Sequence, residues 1–108
     1  GRLLGLQFDE MFTDDLYLHI GESAIKYADE ITGRLVKFGY PIYMQSPTNQ
    51  RFTVMDNETL EKFGEEIEYS YWRKVDENHT AIRLATSWRT TREDVDRLIR
   101  VLEKYKPL

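Results

Sequence analysis

Between Asp15 and Phe38 the apolar residues Tyr17, Ile20, Ala24, Tyr27, Ala28, Ile31, Leu35 and Phe38 return every three or four positions. That spacing predicts one face of a long amphipathic helix. Asp14 or Asp15 can cap its start, Gly39 suits a left-handed stop, and Pro41 forbids continuation. Gly21 and Gly33 each weaken it by up to about 1 kcal/mol. At about 1.5 Å per residue such a helix outruns a small domain's diameter, which suits an element bridging two domains. A shorter helical turn is expected around Phe8 to Phe12.

Downstream the period changes. Ile42 to Met44 and Gln50 to Met55 read as strands joined by the turn Ser46-Pro47-Thr48-Asn49. Asn57 to Phe63 reads as a short helix, entered through Asp56 or Asn57 and ended by Gly64. Ile67, Tyr69 and Tyr71 then alternate with Glu66, Glu68 and Ser70, the pattern of a strand with one buried face. Asp76-Glu77-Asn78-His79 turns the chain back into Thr80-Ala81-Ile82-Arg83-Leu84-Ala85, so an antiparallel hairpin is expected. Thr90 with Glu93 three residues later suggests a capping box, and Val95, Leu98, Ile99 and Leu102 lay a helical stripe beyond it. The fold class that follows is α+β: a two-layer small domain with an antiparallel four-stranded sheet, helices on one face and a long N-terminal interdomain helix.

One residue breaks the last strand's apolar character. Burying a guanidinium costs several kcal/mol unless it meets an anion, so Arg83 points to a carboxylate or phosphate partner. A bidentate arginine fixes a carboxylate as a planar fork and keeps its charge at working pH. The alternative is a structural arginine paired with Glu66 or Glu68. Arg89 and Arg92 stand at a helix start, where the macrodipole disfavours positive charge; they read as surface residues, with an anionic partner conceivable.

Composition narrows the classes. A length of 108 residues leaves room for one domain with a modest core. A net charge of −4 and a pI near 5.2 argue against nucleic acid, and no segment reaches the length of a membrane span. With no cysteine there are no disulfides, thiolate metal sites or thiol nucleophiles, which fits a reducing compartment, and the lack of a long apolar run at Arg2-Leu3-Leu4 makes a cytoplasmic origin the expectation. His19 and Glu22 share a helix face but fall short of the three or four ligands of a metal site; His79 belongs to a polar turn. Tyr40, Tyr43, Phe52, Tyr69, Tyr71 and Trp72 give the sheet an aromatic face, read as core or interdomain packing. Glu65, Glu66 and Glu68 read as a solvated edge. No metal-binding and no phosphate-cradling motif is expected.

The run Arg83-Leu84-Ala85-Thr86-Ser87-Trp88 leading into Thr90-Thr91-Arg92-Glu93-Asp94-Val95 resembles the last segment of pyridoxal-phosphate enzymes of the threonine aldolase / β-eliminating lyase family. Phe12-Thr13-Asp14-Asp15-Leu16-Tyr17 is similar to that family's entry into its interdomain helix, and Gly39-Tyr40-Pro41 to the exit. Ser46-Pro47-Thr48-Asn49-Gln50 resembles the turn between the first two strands of its small domain. These motifs cover nearly the whole chain in the right order.

The resemblance implies the C-terminal small domain of a fold-type I enzyme, residues 1–108 being a fragment whose large, cofactor-binding domain lies elsewhere. The opening Gly1-Arg2-Leu3 without an initiator methionine fits that expectation. It implies that Arg83 holds the substrate α-carboxylate, orienting the bonds at Cα so that the scissile one stands perpendicular to the cofactor ring. Pyridoxal phosphate would be bound by the large domain, because none of Lys26, Lys37, Lys62, Lys74, Lys104 and Lys106 matches the family's Schiff-base lysine. The fragment alone is then expected to be inactive, without catalytic, cofactor-binding or metal residues of its own. The implied activity is cleavage of a β-hydroxy amino acid, threonine to glycine and acetaldehyde, by a dimer or tetramer. Ser87-Trp88 stands where many of these aldolases have histidine, which leaves a related lyase or another amino-acid specificity open. The contrasting reading is a stand-alone, non-catalytic α+β module binding a small ligand or a protein; outward apolar residues such as Leu16, Tyr17 and Ile20 would discriminate the two.

Overall fold

The computed structural model describes residues 6–7 and 21–107. Within them a helix α1, Gly21–Phe38, is followed by strands β2, Ile42–Met44, and β3, Gln50–Asp56, the two residues Leu6–Gln7 being β1. Then come α2, Asn57–Phe63, β4, Ile67–Glu68, β5, Ser70–Lys74, β6, His79–Ala85, and α3, Arg92–Lys104. Strands β2, β3, β6 and β5 form an antiparallel sheet in that spatial order, with β6 and β3 at its centre. The expected α+β architecture is therefore present.

Each helix follows from its sequence. On α1 the residues Ala24, Ala28, Ile31, Leu35 and Phe38 are buried, as the three-to-four spacing requires. Gly39 ends it at φ 92°, a left-handed position that suits glycine. Asp56 caps α2 by accepting from the Thr59 amide at 3.2 Å. Residues 15–20 of the long predicted helix, and the turn expected at Phe8 to Phe12, lie outside the described residues.

All three described helices contribute to one apolar layer. Ile31, Leu35, Leu60, Phe63, Val95, Leu98 and Leu102 pack with Met55, Ile82 and Leu84 of the central strands. Burying such side chains is worth about 1.5–3 kcal/mol each. Because side chains alternate along a strand, Phe52, Ala81, Arg83 and Ala85 belong to the opposite face of the sheet. On that face Phe52, Ala81 and Ala85 are buried and Arg83 is partly buried.

Three expectations are corrected. The strand read through Ile67, Tyr69 and Tyr71 is broken at Tyr69: Ile67–Glu68 pairs in parallel with Leu6–Gln7, and β5 begins afresh at Ser70. Alternation therefore does not persist, and Tyr71 is exposed where the pattern would bury it. The cap of α3 is Thr91 with Asp94, one residue later than Thr90 with Glu93, because the Thr90 hydroxyl is already bound by the Ser87 amide at 2.9 Å. The aromatics do not share one face. Tyr40 and Tyr69 join the helix-side core, whereas Phe52 and Trp72 pack against each other with ring centres 4.8 Å apart and planes tilted by 59°.

Candidate functional site

Arg83 sits mid-way along a central strand, in one cross-strand row with Phe52 of β3 and Ser70 of β5. Its guanidinium is partly buried, and Nη2 donates to Ser70 Oγ at 2.8 Å. Phe52 is almost fully buried on its other flank, and Trp72 lies against Phe52. The register of β5 shifts between Tyr71 and Arg73, a bulge that brings Trp72 beside this row. A fixed cation flanked by a hydroxyl and an aromatic pair is suited to gripping a planar anion.

Glu66 and Glu68 are not what this arginine holds in the described residues. Glu66 accepts from Tyr105 Oη at 2.6 Å and from Lys104 Nζ at 3.0 Å, and the Tyr105 hydrogen bond, with Lys104, holds its carboxyl below the usual range. It is half-buried against α3, which corrects its reading as part of a solvated edge. Glu68 is exposed.

The sequence reading missed a second arginine. Arg51 is only 7% exposed, more buried than Arg83, and lies on the helix-facing side in register with Leu84. Its donors are distributed over Thr48 O at 2.8 Å, Thr32 Oγ1 at 3.1 Å and Asp29 Oδ1 at 2.8 Å. It clamps α1 to β3. Its signal in the sequence is the same as that of Arg83, a charge interrupting the strand Gln50 to Met55.

Arg92 meets Glu30 of α1 through both terminal nitrogens, bonds Asp96, and stands over the Tyr27 ring. The conceivable anionic partner of that helix start is thus internal to the domain. Arg89 is exposed beside the Trp88 ring. His79 pairs with Asp76 at 2.9 Å in the exposed turn; His19 lies outside the described residues. Among the described residues no group of three or more His, Cys, Asp or Glu gathers to hold a metal, and no helix is long and apolar enough to cross a membrane.

The loop after β6 is structural. Asn49 Nδ2 donates to Thr86 O at 2.6 Å and Thr86 Oγ1 donates to Ala24 O at 2.7 Å, tying the strand end to the turn before β3 and to α1. A cavity of about 180 Å³ lined by Tyr40, Pro41, Asp56, His79 and Tyr105 lies near the other end of β6. His79 and Arg83 are four positions apart, about 13 Å of strand, so cavity and arginine are distinct places.

No family model and no curated protein matches the chain. Solved structures do. Threonine aldolase from Leishmania major is similar over 85% of this chain and 27% of its own, at 23% identity and a TM-score of 0.74. The chain has the fold of that part of threonine aldolase. Serine palmitoyltransferase from Sphingomonas wittichii matches over 76% of this chain and 23% of its own, at 11% identity and a TM-score of 0.62. A structure of SPT with a PLP internal aldimine matches over 74% and 22%, at 10% identity and 0.60. Threonine aldolase and serine palmitoyltransferase are both fold-type I PLP enzymes. The chain spans about a quarter of the length of each of these structures.

Among the described residues no lysine is placed as a Schiff-base former would be, all six being exposed. Lys104 is committed to Glu66.

Proposed function

We propose that the chain is the C-terminal small domain of a PLP-dependent lyase resembling threonine aldolase, in which Arg83 holds the α-carboxylate of a β-hydroxy amino acid. The observation that carries the reading is the position of this arginine: central strand, partly buried, on the sheet face opposite the helix-side core and in one row with Ser70 and Phe52. Likeness in fold to threonine aldolase supports the parent enzyme class. Exposed Met44 and Trp72, at 39% and 40%, support a face that a further domain covers. Leu16, Tyr17 and Ile20 lie outside the described residues.

In this reading PLP is bound by residues beyond 1–108, the fragment alone is inactive, and the whole enzyme is a cytoplasmic dimer or tetramer acting on threonine or a related amino acid. What the chain's own residues do is orient: a guanidinium held in place removes rotational freedom from the substrate before reaction.

The test uses the full-length protein encoded by the native reading frame. It should bind PLP and absorb in the near-visible. Arg83→Ala should lose about 2–5 kcal/mol of substrate affinity or transition-state stabilisation while still binding cofactor. Unchanged kinetics in that variant would remove Arg83 from the role.

A further inference from the structure

We infer that Ser70 is the second residue of the carboxylate site: its hydroxyl fixes the Arg83 guanidinium and donates its own proton to one oxygen of the bound carboxylate. The inference rests on the reading of Arg83 given above. Ser70 and Arg83 are directly opposed in register, and Oγ accepts from Nη2 at 2.8 Å. A hydroxyl has one donor and two acceptor lone pairs, whereas guanidinium only donates. The Ser70 proton therefore cannot be returned to Arg83. Ser70 is partly exposed, so its proton is open to solvent and to an anion lying on the same guanidinium.

The strand supports this placement. Ser70 opens the edge strand β5 immediately before its bulge, where the sheet turns side chains toward neighbouring rows. Phe52, the other flank of Arg83, offers no polar atom, so of its two cross-strand neighbours only Ser70 can fix the plane of the fork. Anchoring one terminal nitrogen limits the rotamers of a side chain that otherwise loses much freedom on binding.

The experiment compares Ser70→Thr with Ser70→Val in the full-length holoprotein. The two are nearly isosteric and both suit a strand, so they differ in the hydroxyl alone. Amino acids are titrated against the cofactor's absorption, and the best binder is set beside its decarboxylated amine. Ser70→Thr should stay near the parent, whereas Ser70→Val should weaken the amino acid about tenfold, the size of a charge-assisted hydrogen bond. The amine should bind both variants alike. Equal loss for amine and amino acid would mark Ser70 as merely structural and overturn the inference. Tight amino-acid binding by Ser70→Val alongside weak binding by Arg83→Ala would also overturn it, leaving Arg83 in its role. If Arg83→Ala binds like the parent, or no amino acid shifts the absorption, the functional reading falls and this inference with it.

Discussion

Two arginines in adjacent strands show how the same sequence signal leads to different ends. Arg51 and Arg83 each interrupt an apolar strand, yet Arg51 bonds Thr48, Thr32 and Asp29 on the helix-side face, while Arg83 meets Ser70 on the opposite one. The difference is one of parity. Along a strand odd and even positions face opposite ways, and the register puts Arg51 beside Leu84 and Arg83 beside Phe52. Which face the helices cover is a tertiary fact that the strand's own residues do not encode. The clamp at Arg51 is also unequal in its two ends: Asp29 keeps 66% of its side chain in water, against 8% for Arg51. Losing Asp29 therefore costs a screened pair, and losing Arg51 strands the half-buried Thr48 carbonyl and Thr32 hydroxyl and opens a gap. Arg51→Ala should destabilise by about 2–3 kcal/mol and Asp29→Ala by less than about 1 kcal/mol in urea unfolding. Equal effects would mean that the ion pair, rather than burial of the guanidinium, carries the clamp.

At the scale of elements, helices were legible and strand breaks were not. The apolar spacing of α1 and α3, the Gly39 stop and the Asp56 cap all follow from local chemistry and stand where the sequence puts them. The break at Tyr69 and the parallel pairing of Ile67–Glu68 with Leu6–Gln7 depend on a partner some sixty residues away in sequence, which alternation cannot report. The cap of α3 slipped by one because Thr90 and Thr91 are chemically alike, and only the turn at Ser87 decides which hydroxyl is already taken. Arg83 was visible as an anomaly in its strand; Ser70 was not, since pairing across the hairpin depends on the bulge in β5. Local propensity gives one direct test on α1. Gly33 is exposed mid-helix, and a Cβ added there meets nothing within 4 Å. Gly33→Ala should raise stability by about 0.5–1 kcal/mol, through lower backbone freedom of the unfolded chain and without loss of packing. A fall in the denaturation midpoint would show that this position is constrained by more than helix propensity.

Over the whole molecule, stability against pH is bounded on each side by different chemistry. Glu30, Asp56, Glu66 and Asp76 are all held below their ordinary values, chiefly by hydrogen bonds from Arg92, Thr59, Tyr105 and His79 respectively. A depressed folded pKa gives stability that is present above the unfolded value and is lost as pH falls through the folded one. The acid limb, beginning below 4.5, is thus shared among four sites on separate elements, and no single substitution should abolish it. The alkaline limb is more concentrated. Burial, with the Asp56 charge second, raises Tyr40 above its ordinary 10.0, and its hydroxyl donates to Leu102 O at 2.6 Å, joining the chain after α1 to α3. A raised folded pKa gives stability fully present below the unfolded value and lost as pH rises. Burial raises Tyr69 and the Glu66 hydrogen bond raises Tyr105, so these two steepen the same limb. Tyr40→Phe removes the hydrogen bond and should cost about 1 kcal/mol at neutral pH. It also removes the ionisable group, so the parent should lose stability more steeply than the variant above 10.0, and the gap between them should close as pH rises. Urea midpoints taken across that range would show the convergence, and parallel curves would mean that Tyr40 titrates alike in folded and unfolded chains.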